Sequence, residues 1–150
     1  MINLKSLIVD SLLLEISRDK EALEWLKHMV INSPYKGSVY LAGGAVRDME
    51  MGNIPKDLDV VVINHGLSGG IDFTIWLAKQ MGNYKENSNP VIFPTFGTAK
   101  VVINTTYNGV DLSGIDVEAV ASRKEVYLPG SRKPEHSKMM YCDEILPLIA

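Results

Sequence analysis

The stretch LAGGAVRDMEMGNIPKDLDVVV, residues 41–62, carries the strongest fold signal in this chain. A short apolar run ends at two adjacent glycines, and a turn that contains a proline leads into the β-branched run LDVVVI at 58–63. β-Branched residues favour strands, so this run predicts a buried central strand. Asp57 and Asp59 stand one residue apart at its start, where apolar side chains would pack better.

Helical and strand patterns alternate outward from this stretch. Apolar residues recur at helical spacing over 3–17 and again over 22–30, and IDFTIWLAKQM at 71–81 predicts a further helix. Further strands are predicted at VYLA, VIF, AKVVIN and IDVEAV, which glycine, proline and asparagine turns separate. This order predicts the α/β or α+β class, with helices packed on a mixed central sheet.

The composition is typical of a soluble globular protein. Hydrophobic residues make up 46% of the 150 and charged residues 22%, which is enough apolar material for a core. The net charge of −3 gives no overall attraction to nucleic acid, and no apolar run approaches the roughly 20 residues that span a membrane. The single cysteine, Cys142, excludes an internal disulfide and a cysteine-rich zinc site.

These properties define the expected organisation. We expect a cytoplasmic protein without a membrane partner, and one domain over 1–150. Its N-terminal helical segment is predicted at 1–32, and a basic C-terminal segment at 123–150.

The aspartate pair predicts a cation site. Residues i and i+2 of a strand face the same side, so the carboxylates of Asp57 and Asp59 are expected to lie together. Two nearby carboxylates repel each other unless a cation or a proton relieves them, and Mg²⁺ binds one or two carboxylates plus substrate phosphates. The alternative is a pair of strand-entry aspartates that only face solvent.

A second acidic locus lies in GIDVEAV, residues 114–120. Asp116 and Glu118 share one face of the strand predicted there. If that strand lies next to the strand of Asp59, one of these carboxylates reaches the same cations. Phosphoryl transfer with two metal ions, about 3.5–4 Å apart, uses such a ligand set.

The two glycines, Gly43 and Gly44, lie at a predicted strand-to-helix junction. Glycine lets a phosphate approach the backbone closely, and a helix N-terminus offers free N–H groups. Arg47 follows in the predicted short helix, where its guanidinium could reach a phosphate oxygen. An ordinary tight turn also explains the glycines, but glycines, arginine and carboxylates in this order indicate a polyphosphate site.

These motifs resemble a known family. VYLAGGAVRDMEMGNIPKDLDVVV is similar to the head-domain motif of the bacterial poly(A) polymerase and CCA-adding tRNA nucleotidyltransferase family, in the DNA polymerase β-like superfamily. That motif reads Gly-Gly-x-Val-Arg-Asp, a short helix, a loop and Asp-x-Asp. GTAKVVI at 97–103 and VEAVASRKEVYLPGSRKP at 117–134 resemble later parts of the same head, and the resemblance spans about 37–134.

The resemblance implies a nucleotidyltransferase-like fold and Mg²⁺-dependent transfer of a nucleoside monophosphate from an NTP to a hydroxyl, with release of pyrophosphate. It implies Asp57, Asp59 and Glu118 as catalytic residues and as ligands of two Mg²⁺ ions, which Mn²⁺ can replace. Glu118 fits the third carboxylate because it stands five residues before Arg123, and Asp116 is the runner-up. The residues implied to bind the nucleotide and its phosphates are Gly43, Gly44, Arg47 and Arg123.

The implied substrates are ATP or CTP and an RNA acceptor, in particular the 3′ end of tRNA. Family members continue from the head into neck and body domains that choose the base and hold the RNA, whereas this sequence ends at CDEILPLIA. We therefore expect a head without these domains, with a protein partner as one way to replace them. Two alternatives stay open: nucleotidyl transfer to a protein or a small molecule, and a non-catalytic nucleotide-binding or interaction module that keeps the head fold.

Overall fold

The structure, a computed structural model, describes residues 4–121. The helices are α1 (Leu4–Ile31), α2 (Gly44–Glu50) and α3 (Gly69–Met81), with a 3₁₀ turn at Pro94–Phe96. The strands are β1 (Val39–Leu41), β2 (Leu58–Val62), β3 (Val91–Phe93), β4 (Thr98–Val102), β5 (Thr106–Tyr107), β6 (Val110–Asp111) and β7 (Asp116–Ala121).

Five strands form the central sheet in the order β1-β2-β7-β4-β3. β2 and β7 run parallel, and the other neighbouring pairs are antiparallel. The predicted α+β class with a mixed central sheet is confirmed. β5 and β6 form a separate hairpin around Asn108 and Gly109, which both have the positive φ that tight hairpin turns require. The sequence predicted only the turn at this place.

One face of the sheet carries the core. Strand side chains alternate between the two faces, and Leu58, Val60 and Val117 belong to the alternating set that is buried under the helices. The helices contribute the large apolar side chains of this cluster, which are Trp25, Leu26, Phe73 and Leu77. The intervening strand residues therefore lie on the opposite face.

The helix α1 is longer than either helical pattern in its sequence. The patterns predicted at 3–17 and 22–30 belong to one helix of 28 residues. Among the α1 side chains whose burial the structure describes, the first buried one is Ala22, whereas the apolar side chains from Ile8 to Ile16 are exposed. Within the described part of the chain, no helix combines the length and apolar character needed to span a bilayer.

Two further expectations about element boundaries differ from the structure, and a third concerns residues that the structure does not describe. The strand β2 begins at Leu58, so Asp57 precedes the strand and does not belong to it. The helix predicted at 71–81 begins two residues earlier, at Gly69. The basic segment predicted at 123–150 lies outside the described residues.

Candidate active site on the open face of the sheet

The strand register places three charged residues in one row across the sheet. Asp59 on β2 pairs with Glu118 on β7, and Glu118 pairs with Lys100 on β4. Val91 on β3 continues the row opposite Lys100. Because their neighbours along each strand point into the core, these side chains lie on the face away from it.

This face contains a pocket of about 290 Å³, formed mainly by polar side chains. The residues that line it are Asp57, Leu58, Asp59, Lys100, Asp116 and Glu118. All four acidic residues that the sequence singled out are therefore brought together. Asp57 reaches the pocket from the bend before β2. The strands of Asp59 and Glu118, β2 and β7, are neighbours in the sheet, as the sequence interpretation required.

The environment of the Asp59 carboxylate in this pocket disfavours its ionised form. Burial raises the pKa of its carboxyl group, and the negative charges of Glu118 and Asp57 raise it further. The ammonium of Lys100 opposes this rise. A cation between these carboxylates would relieve their repulsion, because an opposite charge at short range favours the ionised form.

The two candidates for the third carboxylate have different partners. Asp116 Oδ2 lies 3.6 Å from Lys100 Nζ, so its charge is partly compensated. Glu118 stands opposite Asp59 in the register and raises the pKa of that carboxyl more than Asp57 does. The geometry therefore favours Glu118 over Asp116 as the carboxylate that faces Asp59.

The first glycine of the pair, Gly43, lies beside the Asp59 carboxylate. Gly43 has a φ of 59°, in the left-handed region, and a Cβ on it would lie 3.8 Å from Asp59 Oδ2. A Cβ on Gly44 would lie 3.4 Å from a guanidinium nitrogen of Arg47. The N–H of Ala42 donates a 2.9 Å hydrogen bond to the backbone carbonyl of Asp59, which fixes this corner to β2. The corner thus places the backbone of Gly43 beside the Asp59 carboxylate and the guanidinium of Arg47 beside Gly44.

The donor set suits Mg²⁺ in its chemistry. Carboxylate oxygens are hard ligands, and Mg²⁺ usually binds one or two of them while substrate phosphates and water complete the coordination. Across residues 4–121, no three His, Cys, Asp or Glu side chains are grouped so that they could hold a metal ion by themselves. The pocket therefore fits a cation that binds together with a polyphosphate better than a metal enclosed by protein alone.

Lys100 is a pocket residue that the sequence did not single out. Its signal is a lysine between the buried Ala99 and Val101, at an alternating position of a strand. The pattern shows that Lys100 faces away from the core, but it does not show which residues are opposite. Arg123, predicted to bind phosphate, lies outside the described residues.

Comparison with solved structures found three chains concerned with tRNA. A "tRNA-processing enzyme (apo form I)" has a TM-score of 0.50 at 27% identity, over 72% of this chain and 25% of that chain. A "tRNA-processing enzyme complex 3" has a TM-score of 0.42 at 30% identity, over 59% and 19%. A tRNA nucleotidyltransferase with a primer tRNA and an incoming ATP analogue has a TM-score of 0.42 at 28% identity, over 69% and 25%.

No protein-family model and no curated protein matches the chain. The match spans a quarter or less of the length of each solved chain. The likeness with a TM-score of 0.50 supports the predicted fold class, a mixed sheet with helices packed on it. At the level of fold, the chain is thus similar to one part of that tRNA-processing enzyme.

Proposed function

We propose that the chain provides the catalytic head of a Mg²⁺-dependent nucleotidyltransferase, which transfers a nucleoside monophosphate from an NTP to a hydroxyl and releases pyrophosphate. The observation that carries this proposal is the pocket in which Asp57, Asp59 and Glu118 meet beside the corner at Gly43. The favoured acceptor is the 3′ end of an RNA, tRNA in particular, because the chain shares its fold with part of a tRNA-processing enzyme.

The carboxylates have distinct positions in this proposal. Asp57 and Asp59 would hold the Mg²⁺, and Glu118 would complete the acidic set from the neighbouring strand. Bound Mg²⁺ supplies neutralisation of the polyphosphate charge and activation of the attacking hydroxyl. Because two of the three residues are held by the pairing of β2 with β7, the set is preorganised before the substrate arrives.

The glycine corner would position the triphosphate. Gly43 leaves the space beside Asp59 free of a side chain, and Arg47 offers a fork of N–H donors to phosphate oxygens. In the reaction, a bond forms between the acceptor oxygen and the α-phosphorus, and the bond from that phosphorus to pyrophosphate breaks. Pyrophosphate leaves with the electron pair, and the hydroxyl proton passes to solvent. The resemblance of the motifs favours ATP or CTP as the NTP.

A transfer assay tests the proposal directly. The full chain is incubated with α-labelled ATP or CTP, Mg²⁺ and tRNA, and label in RNA is expected with the wild type. Asp57→Asn and Asp59→Asn should each lower transfer by at least about 100-fold, since each removes a cation ligand. Glu24→Gln is the matched control, because Glu24 is an exposed acid on α1, which packs on the other face of the sheet.

The acceptor is tested in the same assay. If the label appears in a protein or small-molecule fraction instead of RNA, the proposed nucleotidyl transfer stands and the proposed acceptor is wrong. Absence of transfer to any acceptor, or equal transfer by the wild type and Asp57→Asn, would contradict the proposal.

A further inference from the structure

Lys100 has an unusual place in this pocket. Among the described residues that line the pocket, Lys100 alone is basic, and four of the others are acidic. Its Nζ lies 3.6 Å from Asp116 Oδ2, and its position in β4 is opposite Glu118. Asp59 lines the same pocket and lies in the same row across the sheet, with Glu118 between it and Lys100. One ammonium therefore acts on carboxylates from both β2 and β7.

Such an ammonium has two opposite effects. In the absence of metal, it offsets part of the repulsion between the carboxylates. When a divalent cation enters, the same charge repels it. At about 6 Å in a water-like dielectric, a unit charge repels a divalent cation enough to weaken its binding by roughly tenfold.

We propose that Lys100 is the resident counter-cation of the pocket, which stabilises the metal-free carboxylates and weakens the binding of a divalent cation that arrives alone. A polyphosphate that arrives with the cation adds negative charge to the pocket and offsets this repulsion. Cation binding thereby becomes coupled to nucleotide binding. The coupling rests on the proposed function, whereas the electrostatic effect of Lys100 on cation affinity does not.

A purely structural ion pair makes a different prediction. If Lys100 only holds β4 against β7 through Asp116, its removal lowers stability and leaves cation affinity unchanged or weaker. The counter-cation role requires lower stability and tighter cation binding in the same variant. Cation affinity therefore separates the two roles.

The test compares the wild-type full chain with Lys100→Met, in which an unbranched apolar side chain replaces the lysine and the charge is removed. Lys100→Arg keeps the charge, and Lys36→Met is the control, because Lys36 lies in an exposed turn before β1. Binding of Mn²⁺ without nucleotide is measured by calorimetry, and the melting temperature is measured in EDTA.

We expect Lys100→Met to bind Mn²⁺ about tenfold more tightly than the wild type and to melt a few degrees lower in EDTA. Lys100→Arg and Lys36→Met should keep the wild-type affinity. Unchanged or weaker Mn²⁺ binding by Lys100→Met overturns the inference, and so does an absence of Mn²⁺ binding by both proteins. If Lys100→Met binds more tightly but the chain transfers no nucleotide, the inference stands and the proposed function fails.

Discussion

Asp59 of β2 and Glu118 of β7 occupy matching positions in the register of two parallel strands. The hydrogen bonds of the sheet therefore hold the two carboxylates side by side, independently of any loop. A slip of one residue in either strand would turn one carboxylate into the core, which the burial of Leu58 and Val117 opposes. The acidic pair is thus a direct consequence of the fold.

This proximity makes Asp59 a source of instability in the absence of cations. The pKa of the Asp59 carboxyl is higher in the folded protein than in the unfolded chain, so the protonated form of this group favours folding. That contribution to the free energy of unfolding is fully present below the unfolded pKa, about 3.9, and is lost as the pH rises through the folded pKa. Asp59→Asn should therefore stabilise the protein at pH 7.5, by at most about 1 kcal/mol because solvent screens this half-exposed group. Chemical denaturation in EDTA at pH 7.5 and pH 4 measures the difference.

The gain should shrink towards zero as the pH approaches 4. Glu24→Gln, which removes an exposed acid 3.9 Å from Lys27 on α1, serves as the control and should not stabilise the protein at pH 7.5. A variant Asp59→Asn that is less stable than the wild type at pH 7.5 would contradict the electrostatic interpretation of the pocket.

Gly43 is expected to be needed for both folding and nucleotide binding. Its φ of 59° strains any side-chain-bearing residue, and a Cβ would lie 3.8 Å from the Asp59 carboxylate. Gly43→Ala should cost about 1 kcal/mol of unfolding free energy and weaken the binding of an NTP analogue. Gly52→Ala is the control, since Gly52 has a φ of 77° and nothing within 4 Å of its Cβ position. Equal nucleotide affinity in the two variants would show that Gly43 does not contribute to phosphate binding.

Arg47 should act on nucleotide binding with little effect on stability. Its side chain is exposed, and one guanidinium nitrogen lies 3.4 Å from the position that a Cβ on Gly44 would take. We expect Arg47→Met to bind a non-hydrolysable NTP analogue about tenfold more weakly, because the variant loses a charged hydrogen bond to phosphate. Its melting temperature should be unchanged. Calorimetric titration in Mg²⁺ measures this, with Lys36→Met as the control for charge. An affinity loss that is the same in both variants would indicate a general effect of charge.

Gly70 should be indispensable for the packing of α3 on β7. A Cβ at this position would lie 2.8–2.9 Å from the backbone of Val120, which is two residues beyond Glu118. Gly70→Ala should therefore destabilise the protein by about 1–3 kcal/mol through overpacking, although alanine favours a helix. Urea denaturation measures the change. A variant as stable as the wild type would show that α3 does not approach β7 this closely.

The sequence predicted those features that depend on local periodicity. The buried strand β2 and the shared face of Asp116 and Glu118 follow from an alternation of two residues, which is visible in any strand. The length of α1 did not follow, because the polar residues between the two apolar patterns resembled an interruption, although neither glycine nor proline breaks the helix there.

Neighbours across strands were harder to predict. Lys100 enters the pocket because β4 lies beside β7, an order that no local pattern encodes. The hairpin β5–β6 has only two residues in each strand, too few for alternation to be detected. Alternation also placed Asp57 in the strand, which was wrong, since one residue at a strand end has no paired neighbour to mark the boundary.

A structure determined with Mn²⁺ and a non-hydrolysable NTP analogue tests the central claim most directly, because the anomalous signal of Mn²⁺ identifies its position. We predict Mn²⁺ bound to the carboxylates of Asp57 and Asp59, with the triphosphate between that metal and the backbone of Gly43. Mn²⁺ or triphosphate bound elsewhere on the chain, or neither bound at saturating concentration, would contradict the proposed site.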